Sequence, residues 1–332
     1  MLARALLTYL LCAFGIASIG QDLHFSQFYH HPMHCSPALT GAFEGEVRAM
    51  GLVRSQWTSV PVSYQSLAVG ADRKLWKRGA HSASAGLVLQ GDRAGDAGLS
   101  WVQAALSVSV AQRLGTNQYL AIGFSGSVFQ RQFDISRLKF GNQWTGDAFD
   151  PAKPTGEDFN QTSGLQPTFG VGISWRLSSP DYRSVAEIGL GSFHINRPEV
   201  SFRDAPSASL LPIRWAATGH ATQKISTYLD AVAIAGAWQM GSAREWVLGS
   251  GMRLWLRPQE TALRLTGSIR LGDALITALQ YEFGDWIVGA SYDWNISDFQ
   301  VATRGRGGFE LVTVYRPIPP PPVKTFKVCP VF

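Results

Sequence analysis

The chain has 332 residues, of which 45% are hydrophobic and only 16% charged, with a formal net charge of +5. Charge this sparse falls below the usual quarter of a soluble globular protein, and the basic excess is too diffuse for nucleic-acid recognition. After residue 20 no stretch approaches eighteen consecutive apolar residues, so no transmembrane helix is expected.

Residues 1–20 read as a cleaved signal peptide: Arg4 gives the positive start, Leu6 to Ile19 the apolar run, and Ser18-Ile19-Gly20 the small residues before the cut. The run is short for a retained anchor, and bulky Leu10 and Leu11 before Cys12 argue against lipid attachment. Cleavage before Gln21 leaves 332 − 20 = 312 residues and a balance of 28 − 24 = +4, since Arg4 is the leader's one charge.

Residues 21–45 form an N-terminal periplasmic segment without alternation. It holds His24, His30, His31, His34 and Cys35. These are metal-ligand types, yet they lack fixed spacing and a second shell, so polar residues of a periplasmic strand or plug are the preferred reading. No cofactor is expected.

From 46 to 316 the chain alternates with a period of two, the mark of strands with one apolar and one polar face. Strands are expected near 48–56, 64–74, 80–90, 102–110, 119–129, 168–176, 186–195, 213–221, 229–240, 246–256, 263–271, 274–283, 286–296 and 309–316. In the thirteenth, Trp286, Val288, Ala290, Tyr292 and Trp294 oppose Ile287, Gly289, Ser291, Asp293 and Asn295. In the eleventh, Leu263, Leu265 and Ile269 oppose Arg264 and Arg270. Inward charges are costly in a dry sandwich and tolerable in a wet lumen, so lipid sees the leucine face. The 34 glycines and 11 + 9 = 20 Trp plus Tyr suit a barrel that turns inside a membrane with interfacial aromatics. The fold class is therefore all-β, a transmembrane outer-membrane barrel. At roughly 20–25 residues per strand and turn, the length allows about 12–16 antiparallel strands, an even number. Segments 90–98 and 257–260 carry turn chemistry, and 131–166 is the longest loop, placed outside the cell. The Pro-rich tail, 317–332, cannot join a sheet interior. It either docks on a partner or tucks into the barrel mouth. Both termini are expected on the periplasmic side.

Several segments together resemble a known family. They are Gln21-Asp-Leu-His-Phe-Ser-Gln-Phe-Tyr29, Ser36-Pro-Ala-Leu-Thr-Gly41, Arg54-Ser-Gln-Trp57, Gly191-Ser-Phe-His-Ile-Asn-Arg-Pro198, Gly289-Ala-Ser-Tyr-Asp-Trp-Asn-Ile-Ser297, Arg306-Gly-Gly-Phe-Glu310 and Cys329-Pro-Val-Phe332. In order and spacing they are similar to the PorP/SprF family of the Bacteroidetes type IX secretion system. The stretch His30-His-Pro-Met-His-Cys35 departs from that pattern. The resemblance implies about fourteen strands and a non-enzymatic component of the secretion or gliding machinery. It implies contacts with translocon and periplasmic ring proteins and with secreted cargo, in outer-membrane lipid. Signature or partner-contact residues would be Gln21, Asp22, Phe25, Gln27, Phe28, Arg54, Trp57, Asp293, Asn295, Arg306, Phe309, Glu310, Pro319 and Phe332.

Other readings weigh against these. Inward Arg253, Arg264 and Arg270 also fit a porin-like or ligand-uptake channel. Ser192, His194 and Asn196 share a strand face, as a hydrolase site would need, but read equally as lumen surface. Asp293 is expected to accept hydrogen bonds from Arg304 or Arg306, and Arg54 with Trp57 to mark a strand end at the interface. Cys35 and Cys329 either bridge the ends, remain free, or pair with a partner.

Overall fold

The computed structural model describes residues 22–56, 64–95, 98–157, 163–202, 209–258, 260–298 and 305–317. The expected leader, Gln21, Trp57, Arg304, Pro319, Cys329 and Phe332 lie outside them. Fourteen antiparallel strands follow in chain order: β1 Val47–Gln56, β2 Tyr64–Arg78, β3 His81–Ala94, β4 Leu99–Arg113, β5 Gln118–Gln132, β6 Ser163–Ser178 and β7 Val185–Phe193, then β8 Arg214–Lys224, β9 Leu229–Met240, β10 Ala243–Arg257, β11 Thr261–Arg270, β12 Ala274–Phe283, β13 Trp286–Asn295 and β14 Arg306–Tyr315. Each pairs with its chain neighbours, and β1 pairs with β14 from Ala49 opposite Tyr315 to Gln56 opposite Gly308, so the sheet closes with no free edge. Closure gives every strand a hydrogen-bonded partner on both edges, the condition for crossing lipid.

The alternation sets the two faces. On β4, Val102, Leu106, Val108 and Val110 are exposed while Gln103, Ser107 and Ser109 are buried. Trp215, Trp246, Trp294 and Phe309 project outward toward one rim; Trp76, Tyr228, Phe283 and Trp286 do so toward the other. These are the aromatic girdles of a membrane barrel.

Two expectations about loops change. The segment 90–98 is not all turn, because β3 runs to Ala94. The loop 131–166 shrinks to 133–162, because β6 starts at Ser163 and carries Pro167 within it. Proline is tolerated there because that part of β6 extends beyond β7, whose last pair is Gly170 with Phe193. Asn196 in the following loop donates to the Pro167 carbonyl at 2.9 Å.

Turns at the rim where β1 begins and β14 ends (the near rim) are short, such as 79–80, 114–117 and 284–285. Gly284 takes φ +54 in its two-residue turn, a conformation that spares a Cβ clash. The far rim carries the longer connections 133–162 and 194–213.

The segment before β1 supplies the main departure. Instead of lying outside the sheet, residues 22–46 run through the barrel. A 3₁₀ turn at Phe28–His30, a helical turn at Pro32–Cys35 and another 3₁₀ turn at Pro37–Leu39 compact it. Glu44 sits near Arg316 at the near rim, and Asp22 sits by Arg214, the first residue of β8, toward the far rim. Val47 and Tyr315 leave the barrel at one rim, as an even strand count requires, but Asp22 does not share it. The lumen is thus filled rather than watery. Leu23, Phe25 and Met33 pack on inward Met50, Leu52, Val88, Val312 and Val314, and Phe28, Cys35 and Leu39 on Val232, Ile234 and Val247.

Candidate functional site: a plugged lumen

Three sets of contacts hold the plug. The first is a charge cluster toward the far rim. Inward positions of β1, β11, β13 and β14 bring together Arg54, Arg270, Asp293 and Glu310, two cations and two anions, all buried. Arg54 donates to Asp293 at 2.7 Å and to Glu310 at 3.2 Å; Arg270 reaches Asp293 at 3.0 Å. The plug completes it. Glu310 accepts the backbone N–H of Ser26 and of Gln27, each at 2.8 Å. The Ser26 hydroxyl donates to Asp293 at 2.7 Å and accepts from Arg270 at 3.0 Å and from Arg54. One carboxylate thus captures two successive amides, a peptide-backbone recognition device with charge-assisted strength.

The second set lines the near half. Asp72 pairs with Arg48 at 2.7 Å and accepts the Gly41 N–H at 2.7 Å. Arg176 bridges the plug's Glu44 and the wall's Glu187, and Arg316 adds a bond to Glu44 at 3.0 Å. Burial alone would raise the Glu44 carboxyl, but Arg176 and Arg316 outweigh it and hold the group down at about 2.

The third set is a glycine floor. A Cβ on Gly123 of β5 would overlap the backbone of Pro37 and Ala38. One on Gly172 of β6 would meet Pro37 Cδ at 2.9 Å, and one on Gly191 of β7 would overlap the Cys35 carbonyl. Three adjacent strands therefore present bare backbone on which Cys35–Ala38 lies. Ser36 donates to the Leu190 carbonyl at 2.8 Å, and Ser174 to the Ala38 carbonyl at 2.9 Å.

The sequence-picked residues divide. Gln27, Arg54, Asp293 and Glu310 meet in the cluster, and Asp22, Phe25 and Phe28 pack in the same plug. Asp22 pairs with Arg214 at 2.8 Å, which holds its carboxyl well below the usual range against the opposing pull of burial. Phe28 sits edge-on to Trp238 at 4.9 Å. Asn295 is buried at the end of β13, where it accepts from the Ser297 N–H. Arg306 and Phe309 are exposed and stand apart from the cluster.

Three expectations are corrected. Asp293 takes bonds from Arg54 and Arg270 and not from Arg306, because position 293 faces the lumen while Arg306 is exposed; Arg304 lies outside the described residues. Arg54 does stand near the end of β1, as expected, but its side chain turns into the lumen and is among the most buried. Ser192, His194 and Asn196 do not form one face: His194 leaves the strand at φ +58, binds Thr168 at 3.0 Å and faces Asp22 at 3.5 Å, while Asn196 turns to Pro167. Sequence reasoning missed Ser26, Arg48, Asp72 and Arg214. Their parity alone pointed the wall residues inward; what they would bind was hidden until the plug was seen.

The histidine-rich stretch is packed, not loose. His31 stacks on Phe25 at 5.7 Å, and His34 lies edge-on to His31 at 5.1 Å. Burial drives His30 down to about 3 and His31 to about 4. It pushes the Cys35 thiol up to about 12, with Sγ donating to the Phe28 carbonyl. In a Cys329→Ser protein, Cys35 is therefore expected to resist maleimide while folded and to react fully once denatured, read by intact mass. Cys35 lies beside Gly191, six residues up β7 from Val185, or about 20 Å from the near rim. A bridge to Cys329 thus requires the tail to enter the lumen. Two thiols alkylated after denaturation without reductant would end that idea.

A family model described as type IX secretion system membrane protein PorP/SprF matches residues 17–315. No curated protein matches the chain. Among solved structures, a deletion mutant of the TodX monoaromatic hydrocarbon channel is 10% identical at a TM-score of 0.48, covering 86% of this chain and 93% of that one. A Pseudomonas aeruginosa FadL homologue is 9% identical at 0.46, covering 85% and 92%. The translocator domain of autotransporter NalP from Neisseria meningitidis is 11% identical at 0.39, covering 88% and 95%.

Proposed function

The chain belongs to the PorP/SprF family of type IX secretion system membrane proteins, and from that premise we propose a non-enzymatic outer-membrane scaffold of the secretion or gliding machinery. It assists export or surface attachment of cargo by contacting translocon or periplasmic ring subunits. One observation carries the reading: residues 22–46 fill the lumen, tied to its wall by the ion pairs of Asp22 with Arg214 toward the far rim and of Glu44 with Arg176 toward the near one. A filled barrel offers its rims for recognition, since loops on a rigid frame are where binding residues gather. On the rule that short turns face the periplasm, the near rim and the tail after Tyr315 meet the ring, while 133–162 and 194–213 face outward.

Affinity purification from native membranes tests this. Secretion-machinery subunits should accompany the full chain, and loss of the protein should abolish surface display of its cargo. A solitary barrel whose loss leaves every secreted protein in place would overturn the reading. The porin-like alternative fits a filled lumen less well. Purified protein is expected to be silent in planar bilayers at neutral pH, and steady open pores there would favour the channel.

A further inference from the structure

We propose that acid releases the plug, turning the sealed barrel into a passage for small hydrophilic solutes. The inference rests on how the plug's imidazoles are placed. His30, His31 and His34 are buried, and among the described residues His30 Nε2 and both ring nitrogens of His31 have no hydrogen-bond partner. A polar cavity lies beside His31 and His34, walled by Gln90, Gln103, Ser107 and Ser125.

The surroundings of the rings are mainly cationic or neutral, and the anions beside them are already paired with arginines. His34 Nε2 stands 3.1 Å from an Arg214 guanidinium nitrogen, and its Nδ1 faces the Gln90 amide at 3.3 Å. Its one nearby anion, Asp22, is already engaged by Arg214 and His194. His31 faces Arg214, Arg48, Gln90 and His34. His30 faces Arg264, Arg316, Tyr29, Gln280 and His220, with Glu282 the opposing anion. That Glu282 is held by Arg264 at 3.1 Å and Arg253 at 3.5 Å. Protonating any of the three sets a buried cation against arginines whose counter-charges are committed. Residues 22–45 carry Asp22 and Glu44 as anions, −2; with His30, His31 and His34 protonated they carry −2 + 3 = +1, His24 being set apart because it faces Glu245. The plug then matches the sign of the arginines that hold it.

The direction follows from linkage. These imidazoles bind protons more weakly when docked, so docking is unaffected above the free value of 6.5. It is lost as pH falls through that value toward about 4 and about 3. The anions that grip the plug, Glu310 for the Ser26 and Gln27 amides, push the same way if they protonate.

The full chain in planar bilayers provides the test, read at about pH 7.5 and about pH 4.5. Silence at the first and stable steps at the second, reversed on neutralisation, are expected. Hydrogen exchange should show loss of protection over residues 22–46 while the strands stay protected. The triple variant His30→Gln, His31→Gln, His34→Gln should stay shut and protected at the lower pH. Wild-type protein that remains silent with 22–46 protected at about pH 4.5 overturns the proposal. So does opening of the triple variant at the wild-type pH, or exposure of the strands before the plug. Should the triple variant not assemble, the wild-type exchange pattern decides alone. None of these readouts depends on the secretion machinery, so failure here leaves the scaffold reading standing.

Discussion

Glu310→Ala is expected to free residues 22–46 from the lumen while the fourteen-strand wall stays closed. The carboxylate does two jobs. It accepts two successive plug amides, from Ser26 and Gln27, and it neutralises Arg54, which is 1% exposed at its side chain. Alanine strands both amides and leaves Arg54 to share Asp293 with Arg270, which keeps Asp273 and Glu245 besides. Removing one partner of a buried pair costs about 3–5 kcal/mol, against about 1 kcal/mol for an ordinary neutral hydrogen bond. The docked state is thus disfavoured by roughly two to four orders of magnitude. The wall itself loses little, since β14 keeps its ladders to β1 and β13. Limited proteolysis should cut within 22–46, and Cys35 in the Cys329→Ser background should become open to maleimide at neutral pH. Glu310→Gln retains an acceptor for the amides and should fall between. A Glu310→Ala protein as protease-resistant and maleimide-resistant as its parent would mean that the charge cluster does not hold the plug.

The barrel was legible because alternation is a local property. Strands β4, β11 and β13 announced their lipid face through residues such as Val102, Leu106, Leu263 and Trp286, and those positions are outward. Strand ends were less so, because 90–98 is rich in turn-forming Gly and Asp yet pairs as far as Ala94, and 163–167 holds Pro167, whose missing N–H is tolerated where β6 runs past β7. The plug left a trace that polarity patterning could not interpret. Leu52, Met50, Val312 and Val314 are apolar at inward positions, which makes no sense in a wet lumen and full sense against Phe25 and Met33. Residues 22–46 have no period because a segment surrounded on all sides has no single face to mark. Likewise Asp293 and Glu310 stood out in the sequence, but their partner Arg54 lies more than two hundred residues away. Only barrel closure between β1 and β14 brings it beside them.

The glycine floor predicts the second large effect, by sterics rather than charge. Gly123→Val should expel the plug as thoroughly as Glu310→Ala, because the added atoms would occupy the space of the Pro37–Ala38 backbone. A flexible side chain could swing aside. This stretch cannot: Pro37 fixes its own φ, the Ser36 hydroxyl is bound to the Leu190 carbonyl and Ser174 is bound to the Ala38 carbonyl. Overpacking a rigid site costs about 1–3 kcal/mol and more when backbone must move. Valine suits a strand, so β5 itself should form unharmed. Gly126→Val on the same strand is the control. Its outward side finds no heavy atom nearer than Phe169 at 3.9 Å, and a change there is expected within about 0.5 kcal/mol. Conductance at neutral pH, protease sensitivity of 22–46 and Cys35 labelling should all rise for position 123 and stay at the parental level for position 126. Equal behaviour of the two valines would show that the close approach of Pro37 and Ala38 to β5 is not what seats the plug.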